Sequence, residues 1–243
     1  MELSGLVAAV TGGGTGIGRG IAIALADAGC TVAIGGRREA PLKKVADEYS
    51  GPGTIVYRVL DVAERPTVRE FFRWLAEHHD APAILVNSAG INVKNRGLED
   101  TTPEDWEKVI RVNLNGAFWC IQSVVPGMKK RGDGLIINIS SVAGKRALPV
   151  AGVAYSASKF GMTSLGTSAG LALADSGVRV TNVYPGEVNT PILDQRPSPV
   201  PQEKKDRMVH PEDIGALVTT IAKLPSRSHI PEVIIKPLYQ DYL

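Results

Sequence analysis

Cysteine and histidine are scarce in this sequence, and their scarcity limits the sites that the chain can contain. There are two cysteines and four histidines among 243 residues. Two cysteines are too few for a disulfide framework or a structural metal site, and the histidines show no ligand spacing. Cys30 and Cys120 are better explained as small buried residues. We therefore expect neither a disulfide bond nor a bound metal.

Long apolar runs and an excess of one charge are also lacking. No run reaches the roughly 18 to 20 residues that a membrane-spanning helix needs. The formal net charge is only +2, which gives no reason to expect a nucleic acid or an anionic membrane as partner. The first residues lack the basic region and cleavage site of a signal peptide. We expect a cytoplasmic protein with a single domain over residues 1–243.

A glycine-rich loop joins the first predicted strand to the first predicted helix. An apolar run from Leu6 to Val10 predicts a buried strand, and a helical pattern covers about 19–28. Between them lies Thr11-Gly12-Gly13-Gly14-Thr15-Gly16-Ile17-Gly18. Glycines let a pyrophosphate approach the backbone, and the helix N-terminus offers unpaired N–H groups. The order of elements indicates a dinucleotide site, although such loops can also simply connect elements.

The end of the second strand indicates which dinucleotide binds. After the strand at 31–34, an acidic residue would bind the ribose 2′-hydroxyl of NAD, whereas arginine accommodates the 2′-phosphate of NADP. Gly36 stands where a carboxylate could be, and Arg37 and Arg38 follow. We predict that NADP(H) is preferred over NAD(H). The alternative is that both arginines merely begin a solvated loop.

Strand and helix patterns alternate along the rest of the chain. Further strands are predicted at about 54–60, 84–86, 135–139, 178–183 and 230–236. The alternation predicts right-handed crossovers and a parallel sheet that is covered on both faces. The predicted fold class is α/β, with a single Rossmann-type, doubly wound parallel sheet of about seven strands flanked by helices. Asn113 and Asn115 are expected to distort a long helix that begins after Thr102.

Tyr155 and Lys159 lie four residues apart on a predicted helix and therefore share one face. An ammonium beside a phenol lowers its pKa, and a nearby serine could hold a substrate oxygen while the phenol transfers a proton. Ser140 and Ser141 follow the fifth strand, at the sheet edge where ligands of such folds bind. A solvated helix face would explain the tyrosine and lysine on spacing alone. Their convergence with the glycine loop favours an active site.

Together these motifs resemble the short-chain dehydrogenase/reductase family over nearly the whole chain. The matching pieces are the glycine loop, Asp61-Val62, Asn87-Ser88-Ala89-Gly90, Asn113, Ser141, Tyr155-x-x-x-Lys159 and Pro185-Gly186 with Thr190. The resemblance implies a catalytic tetrad of Asn113, Ser141, Tyr155 and Lys159. Ser141 would polarise the substrate carbonyl and Tyr155 would donate the proton. Lys159 would bind the nicotinamide ribose and lower the tyrosine pKa, and Asn113 would hold a water.

The resemblance also implies the cofactor-binding residues. Asp61 would contact the adenine amine, and Val188 and Thr190 would contact the nicotinamide carboxamide. The implied set is Gly12, Gly14, Thr15, Gly16, Ile17, Gly18, Arg37, Arg38, Asp61, Val62, Asn87, Ala89, Gly90, Tyr155, Lys159, Pro185, Gly186, Val188 and Thr190.

The sequence departs from the family pattern in several places. Ser88 replaces the second asparagine of the usual Asn-Asn-Ala-Gly. Ser141 precedes Tyr155 by 14 positions, one more than is usual in the family. The expected substrate lid, at about 191–208, is short and proline-rich. The last strand-like run, Ile230 to Pro237, lacks the glycine-rich ending of many relatives.

Small residues on the Tyr155 helix, among them Gly161, Gly166 and Gly170, permit close approach of another element. That element is either the chain's own sheet or a second subunit. The family resemblance implies the second, in a homodimer or homotetramer.

The leading hypothesis is an NADPH-dependent carbonyl reductase that interconverts an alcohol and a ketone or aldehyde, with Tyr155 as general acid and base. One alternative is a catalytically silent dinucleotide-binding sensor or scaffold, which would have no need of Tyr155. Another is a methyltransferase with an adenosyl cofactor, which leaves Lys159 unexplained. The sequence does not identify the small-molecule substrate.

The expected substrate pocket is largely apolar, with Glu187 as its carboxylate. Its expected lining is Ile91 to Val93, Val142 to Lys145, Val150, Ala151, Tyr184, Glu187 and the lid. Arg96, Lys145 and Arg146 could attract an anionic substrate, although cations in solvated loops are the commoner case.

Overall fold

The computed structural model of the chain describes residues 2–196 and 198–241, and Met1, Pro197, Tyr242 and Leu243 lie outside the described part. The predicted domain includes all four positions and the predicted lid includes Pro197, so these parts of the two predictions are not described. In the described part, seven parallel strands form one sheet in the order β3-β2-β1-β4-β5-β6-β7. The strands are β1 (Val7–Thr11), β2 (Thr31–Gly36), β3 (Thr54–Val59), β4 (Ile84–Asn87), β5 (Gly134–Ile139), β6 (Val178–Pro185) and β7 (Glu232–Ile235). The predicted α/β class and doubly wound parallel sheet are confirmed.

Helices cover both faces of the sheet. They are α1 (Gly16–Asp27), α2 (Glu39–Glu48), α3 (Arg65–His78), α4 (Pro103–Ile110), α5 (Gly116–Arg131), α6 (Val153–Leu173), α7 (Gln202–Asp206) and α8 (Pro211–Lys223). Alternate β1 residues enter opposite layers, because successive side chains of a strand point to opposite faces. Ala8 and Val10 pack with α1, α2 and α8, whereas Val7 and Ala9 pack with α3 and α5. Among the described residues, no helix combines the length and apolarity needed to cross a membrane.

The helix that begins after Thr102 is distorted where the asparagines lie. Thr102 caps α4, since its hydroxyl accepts a hydrogen bond from Asp105 N at 3.2 Å. A single π-helical turn, Arg111–Asn115, then separates α4 from α5. Such turns arise where a side chain competes for backbone hydrogen bonds, and they are frequent at functional sites. The expected distortion is confirmed, and it faces the loop that follows β4.

A row of buried asparagine side chains joins three neighbouring strands. Asn87 Nδ2 donates to Asn138 Oδ1 at 3.0 Å, and Asn138 Nδ2 donates to Asn182 Oδ1 at 3.1 Å. Asn182 Nδ2 donates in turn to Thr163 O on α6 at 3.2 Å. The three residues are direct register partners in β4, β5 and β6. The row therefore fixes the register of these strands and ties them to the helix that carries Tyr155.

Gly166 of α6 packs against this row. A Cβ at Gly166 would lie 2.1 Å from Asn182 Oδ1, so the helix can approach the sheet only because the side chain is absent. At this position the small residue serves packing on the chain's own sheet. Assembly through the other small residues of α6 stays a prediction.

Candidate active site

A cleft of about 750 Å³ opens at the carboxyl edge of the sheet. Ligands of open α/β sheets bind at this edge, on either side of the point where the strand order reverses. The glycine loop after β1 forms one end, and residues after β5 and β6 form the other. The predicted site residues that line it are Gly12, Gly14, Thr15, Gly16, Ile17, Gly18, Arg37, Arg38, Asp61, Val62, Ala89, Gly90, Ser141, Tyr155, Lys159, Pro185, Gly186, Val188 and Thr190.

The glycine loop makes room for a ligand through two close backbone contacts. Gly12 has φ +69°, and a Cβ there would lie 3.0 Å from the Ala89 backbone. A Cβ at Gly18 would lie 2.4 Å from Gly12 O. Thr11 holds the opposite wall, because its hydroxyl accepts hydrogen bonds from Ser88 N and Ala89 N at 3.1 Å. The first turn of α1 thus presents its unpaired N–H groups to the cleft, which suits a pyrophosphate.

The part of the cleft wall that follows β2, next to the glycine loop, is basic. Arg37 and Arg38 follow β2, are exposed and line the cleft. Within the described chain, neither of them pairs with a carboxylate. Gly36 leaves open space, since a Cβ there would meet only Leu42, at 3.5 Å. This donor set fits a dinucleotide with an additional phosphate on its ribose.

Ser141 and Tyr155 meet at the other end of the cleft. The Ser141 hydroxyl oxygen accepts a hydrogen bond from Ala143 N at 3.1 Å, so the serine can act only through its own proton. Burial raises the pKa of the Tyr155 phenol, and the hydrogen bond with Ser141 and the charge of Arg96 act in the opposite direction. The net pKa lies above the ordinary value, so the lowering that was expected from Lys159 is not reproduced. Ser140 lies deeper, donating to Lys159 O at 3.1 Å.

Lys159 is almost completely buried below the tyrosine ring. Its Nζ donates to Ile139 O at 2.8 Å and lies 5.5 Å from the centroid of the Tyr155 ring. Burial lowers the pKa of the Lys159 ammonium to about 8, because a charged group in a low-dielectric environment loses its hydration. The lysine is therefore held in place by the fold at a cost to stability.

Two predicted site residues lie behind the cleft wall and do not line it. The Asn87 side chain points along the sheet to Asn138, and its contact with the cofactor stays a prediction. Asn113 Oδ1 accepts from Ile91 N at 2.8 Å, while its Nδ2 donates to Ile91 O and Ser158 Oγ. The Asn113 amide thus fixes the loop after β4. Its water-holding role stays a prediction.

The expected lining of the substrate pocket needs correction at four residues, because Val93, Gly144, Lys145 and Tyr184 do not line the cleft. Tyr184 is fully buried, because β6 continues to Pro185 and pairs with β7, and its hydroxyl donates to Glu232 at 2.7 Å. Lys145 pairs with Glu232 and lies over the Tyr184 ring, so it does not face the cleft. Val93 belongs to a small core cluster with Val109. Arg146 also has a partner within the chain.

Glu187 lines the cleft as expected, but its charge is already balanced. Arg196 and Lys204 of the predicted lid pair with Glu187 at 2.9 and 3.0 Å, and Tyr239 donates a hydrogen bond at 2.7 Å. Burial raises the pKa of the carboxyl, and these three partners together hold it below its usual range. Glu187 therefore links the lid to Tyr239, which lies near the C-terminal end of the described residues.

Sequence reasoning missed several cleft residues, among them Leu42, Leu148 and Gln240. Gln240 lines the cleft and accepts a hydrogen bond from Glu187 N at 2.8 Å. It follows β7 by five positions and has no periodic or motif signal. The only hint was the unusual ending of the sequence.

Comparisons with known proteins agree with this geometry. The family model for short chain dehydrogenase matches residues 6–200. The chain is 35% identical over 211 residues to a D-beta-hydroxybutyrate dehydrogenase of Rhizobium meliloti, covering 85% of this chain and 80% of that protein. It is 36% identical over 235 residues to an NADP-dependent (R)-specific alcohol dehydrogenase of Lentilactobacillus kefiri, covering 93% and 92%.

A solved structure extends the likeness to the whole fold. An alcohol dehydrogenase from the archaeon Thermococcus sibiricus, complexed with 5-hydroxy-NADP, superposes with a TM-score of 0.88. The two sequences are 29% identical, and the match covers 98% of this chain and 99% of that one. The chain therefore belongs to the short-chain dehydrogenase/reductase family of oxidoreductases.

Proposed function

We propose that this protein is an NADPH-dependent carbonyl reductase that interconverts an alcohol with a ketone or aldehyde. The observation that carries the proposal is the meeting of Ser141, Tyr155 and Lys159 at one end of a cleft whose other end is a glycine loop. Tyr155 lines the cleft beside Ser141, and a phenol is protonated at neutral pH, as a proton donor for reduction must be.

The cleft residues divide the chemistry between them. When bound, NADPH supplies the hydride that the carbonyl carbon gains. Ser141 donates a hydrogen bond to the carbonyl oxygen, because its own oxygen is already engaged by Ala143 N. Tyr155 gives its proton to the same oxygen, so that the product is an alcohol. The positive charge of Lys159 then stabilises the resulting phenolate.

Other cleft residues would hold the cofactor. The glycine loop and the first turn of α1 suit the pyrophosphate, and Arg37 and Arg38 suit the 2′-phosphate. Asp61 is assigned to the adenine amine. Val188 and Thr190 are assigned to the nicotinamide carboxamide. The NADP in the names of the Lentilactobacillus kefiri relative and the Thermococcus sibiricus structure supports this preference.

We also assign residues 191–208 as the substrate lid of a single domain. The described part of this segment borders the cleft through Leu193 and Gln195, and Gln195 Oε1 accepts from Asn92 N at 3.2 Å. Arg196 and Lys204 attach it to Glu187. A cytoplasmic location and a homodimer or homotetramer stay predictions from the sequence.

The test is oxidation of NADPH, against NADH, across a panel of ketones, aldehydes, quinones and oxoacyl thioesters. We expect turnover with a subset of the carbonyl compounds and faster turnover with NADPH. Tight NADPH binding without turnover on any compound would instead favour the silent sensor, the alternative that the sequence left open. The binding should be measured separately by calorimetry.

Cofactor preference gives a second prediction. Arg37→Ala should raise the Kd for NADPH about 10- to 100-fold, because a charge-assisted hydrogen bond to the 2′-phosphate is lost. The Kd for NADH should change by less than about threefold, since NADH lacks that phosphate. Calorimetric titration of both cofactors measures the two values.

Two further variants sharpen this test. Lys44→Ala, on the exposed face of α2 and paired with Glu48, is the matched control and should alter neither Kd. Gly36→Asp should raise NADH affinity relative to NADPH, because the position has room for a side chain. Equal losses for both cofactors in Arg37→Ala, and again in the Arg37→Ala/Arg38→Ala double variant, would refute the assignment.

A further inference from the structure

At the end of the cleft that holds Ser141 and Tyr155, the Arg96 guanidinium pairs with no carboxylate of the described residues. Arg96 lies on the loop after β4 and lines the cleft. Its Nε donates to Val93 O at 2.7 Å. Its two terminal nitrogens donate to Val150 O at 2.6 Å and Gln195 O at 2.8 Å. These bonds use three of the five N–H groups that an arginine has, and carbonyl oxygens carry only a partial negative charge. Across residues 2–196 and 198–241, no carboxylate lies within ion-pairing distance of Arg96.

Neighbouring charges do not neutralise Arg96. Burial, together with the repulsion of the Arg196 charge, lowers the pKa of Arg96. Arg196 shares the single carboxylate of Glu187 with Lys204. Asp194 also lines the cleft, but it is exposed and has no ion pair in the described part of the chain. With Lys159, which lies at the same end of the cleft, four cations face two carboxylates and leave a formal charge of +2.

Arg96 is held close to the proposed proton donor. Val153 N donates to Arg96 O at 3.1 Å, two residues before Tyr155 on α6, and both Arg96 and Tyr155 line the cleft. Three carbonyl anchors from three different loops fix the position of the guanidinium. A group bound to Arg96 would therefore leave the adjoining carbon atoms of the same molecule beside Ser141 and Tyr155. Two remaining N–H groups match the two oxygens of a carboxylate.

We propose that the substrate carries a carboxylate that binds Arg96, so that the compound reduced is an oxo acid and the product is a hydroxy acid. This inference deepens the proposed function and rests on it. The carboxylate is unchanged in the reaction. The carbonyl carbon gains the hydride of NADPH, the carbonyl oxygen gains the proton of Tyr155, and NADP⁺ is released.

A purely structural role for Arg96 is the rival explanation. The loop is tightly built around it, since a Cβ at Gly152 would lie 2.5 Å from Arg96 Cβ and Val153 N donates to Arg96 O at 3.1 Å. However, a neutral side chain could also donate to backbone carbonyls. Partial burial of the unpaired Arg96 charge costs desolvation free energy that a neutral hydrogen-bond donor would not lose, and a bound anion would offset that cost. The two roles make different predictions for matched substrates.

The experiment compares straight-chain oxo acids of three to six carbons with their methyl esters, using NADPH. We expect the wild type to prefer the best acid over its ester by about tenfold or more in kcat/KM. Arg96→Gln should lower kcat/KM for the acid about 30-fold, mainly through KM, and change the ester by less than about threefold. Arg96→Lys should keep part of the preference. Lys94→Gln, an exposed cation on the same loop, should change nothing.

Each outcome separates the two explanations. Equal losses for acid and ester in Arg96→Gln would make Arg96 a structural residue only. A wild type without preference for acids, or a preference that added salt does not weaken, would also overturn the proposal. The last two measurements use the wild type alone and therefore hold even if Arg96→Gln fails to fold, which thermal melting would reveal.

Calorimetric binding of the same acids to the NADP⁺ complex separates this inference from the proposed function. Acid binding that is lost in Arg96→Gln, without turnover of any carbonyl compound, would retain the carboxylate site and reject the reductase. Turnover of esters and acids alike would retain the reductase and reject the carboxylate site. Neither binding nor turnover would reject both.

Discussion

Replacing Tyr155 with phenylalanine is expected to lower kcat for carbonyl reduction about 10³-fold, because the only change is the loss of the proton donor. Phenylalanine keeps the ring and therefore keeps the contact with the Lys159 ammonium, 5.5 Å from the ring centroid. The glycine loop and the two arginines after β2 are untouched. NADPH affinity should therefore stay within about twofold of the wild type. Steady-state kinetics and calorimetry measure the two quantities independently.

Tyr184→Phe is the matched control for this variant. Tyr184 is also a buried tyrosine at the end of the sheet, but its hydroxyl bonds to Glu232 and does not reach the cleft. We expect Tyr184→Phe to lower stability by about 1 kcal/mol and to leave kcat unchanged. A Tyr155→Phe protein with kcat within about tenfold of the wild type would show that another group supplies the proton.

The pH dependence of the wild type adds an independent check on Tyr155. Burial, opposed by Ser141 and Arg96, raises the pKa of the phenol above its ordinary value. Reduction needs the protonated form, so its rate should stay level through neutral pH and fall only as the pH passes the raised pKa. Oxidation needs the phenolate and should become faster over the same alkaline range. In Tyr155→Phe, both the alkaline fall in the rate of reduction and the alkaline rise in the rate of oxidation should be absent.

Lys159→Met is expected to make the cofactor-free protein more stable while it abolishes most activity. Burial lowers the pKa of Lys159 to about 8, which is an energetic penalty in the charged form. Removing the charge should raise the free energy of unfolding by about 2 kcal/mol at pH 7, after allowance for the lost hydrogen bond to Ile139 O. Denaturant unfolding without cofactor measures this gain.

The sign of the pH effect identifies the cause of that gain. The folded-state pKa of about 8 lies below the unfolded value for lysine, so the unfolded chain binds more protons between them. Wild-type stability should therefore rise as the pH increases from about 8 to the ordinary lysine pKa, and the advantage of Lys159→Met should shrink. Lys94→Met, on an exposed loop, should show neither effect. A variant less stable than the wild type at pH 7 would contradict the buried-charge explanation.

The parts of the site that could be predicted from sequence are those whose chemistry is local. The glycine loop is one continuous stretch between a strand and a helix, and Tyr155 and Lys159 are one helical turn apart. Their relative positions follow from secondary structure alone. Their meeting at one edge of the sheet follows from the rule that ligands of open α/β sheets bind at the carboxyl ends of the strands.

The parts that escaped prediction depend on distant contacts. The sequence favoured Arg96 as a solvated loop cation over one that attracts an anionic substrate, because its anchors lie 54 and 99 positions away. Tyr184 was placed in the pocket because β6 was expected to end at Val183, whereas pairing with β7 extends the strand and buries the ring. Gln240 reaches Glu187 N over 53 positions. No pattern within a short window records such contacts.

The asparagine row across β4, β5 and β6 bears on how this cleft could acquire a new substrate. The hydrogen bonds among Asn87, Asn138 and Asn182 fix the register of the three strands. The first residues of the loops that follow these strands therefore have fixed positions. A loop can then be exchanged or lengthened without moving the serine, tyrosine or lysine that the strands and α6 position. Grafting foreign loops after β4 and after β6 is therefore the route by which the protein could be redesigned, and the amide row is the part of the scaffold to leave intact.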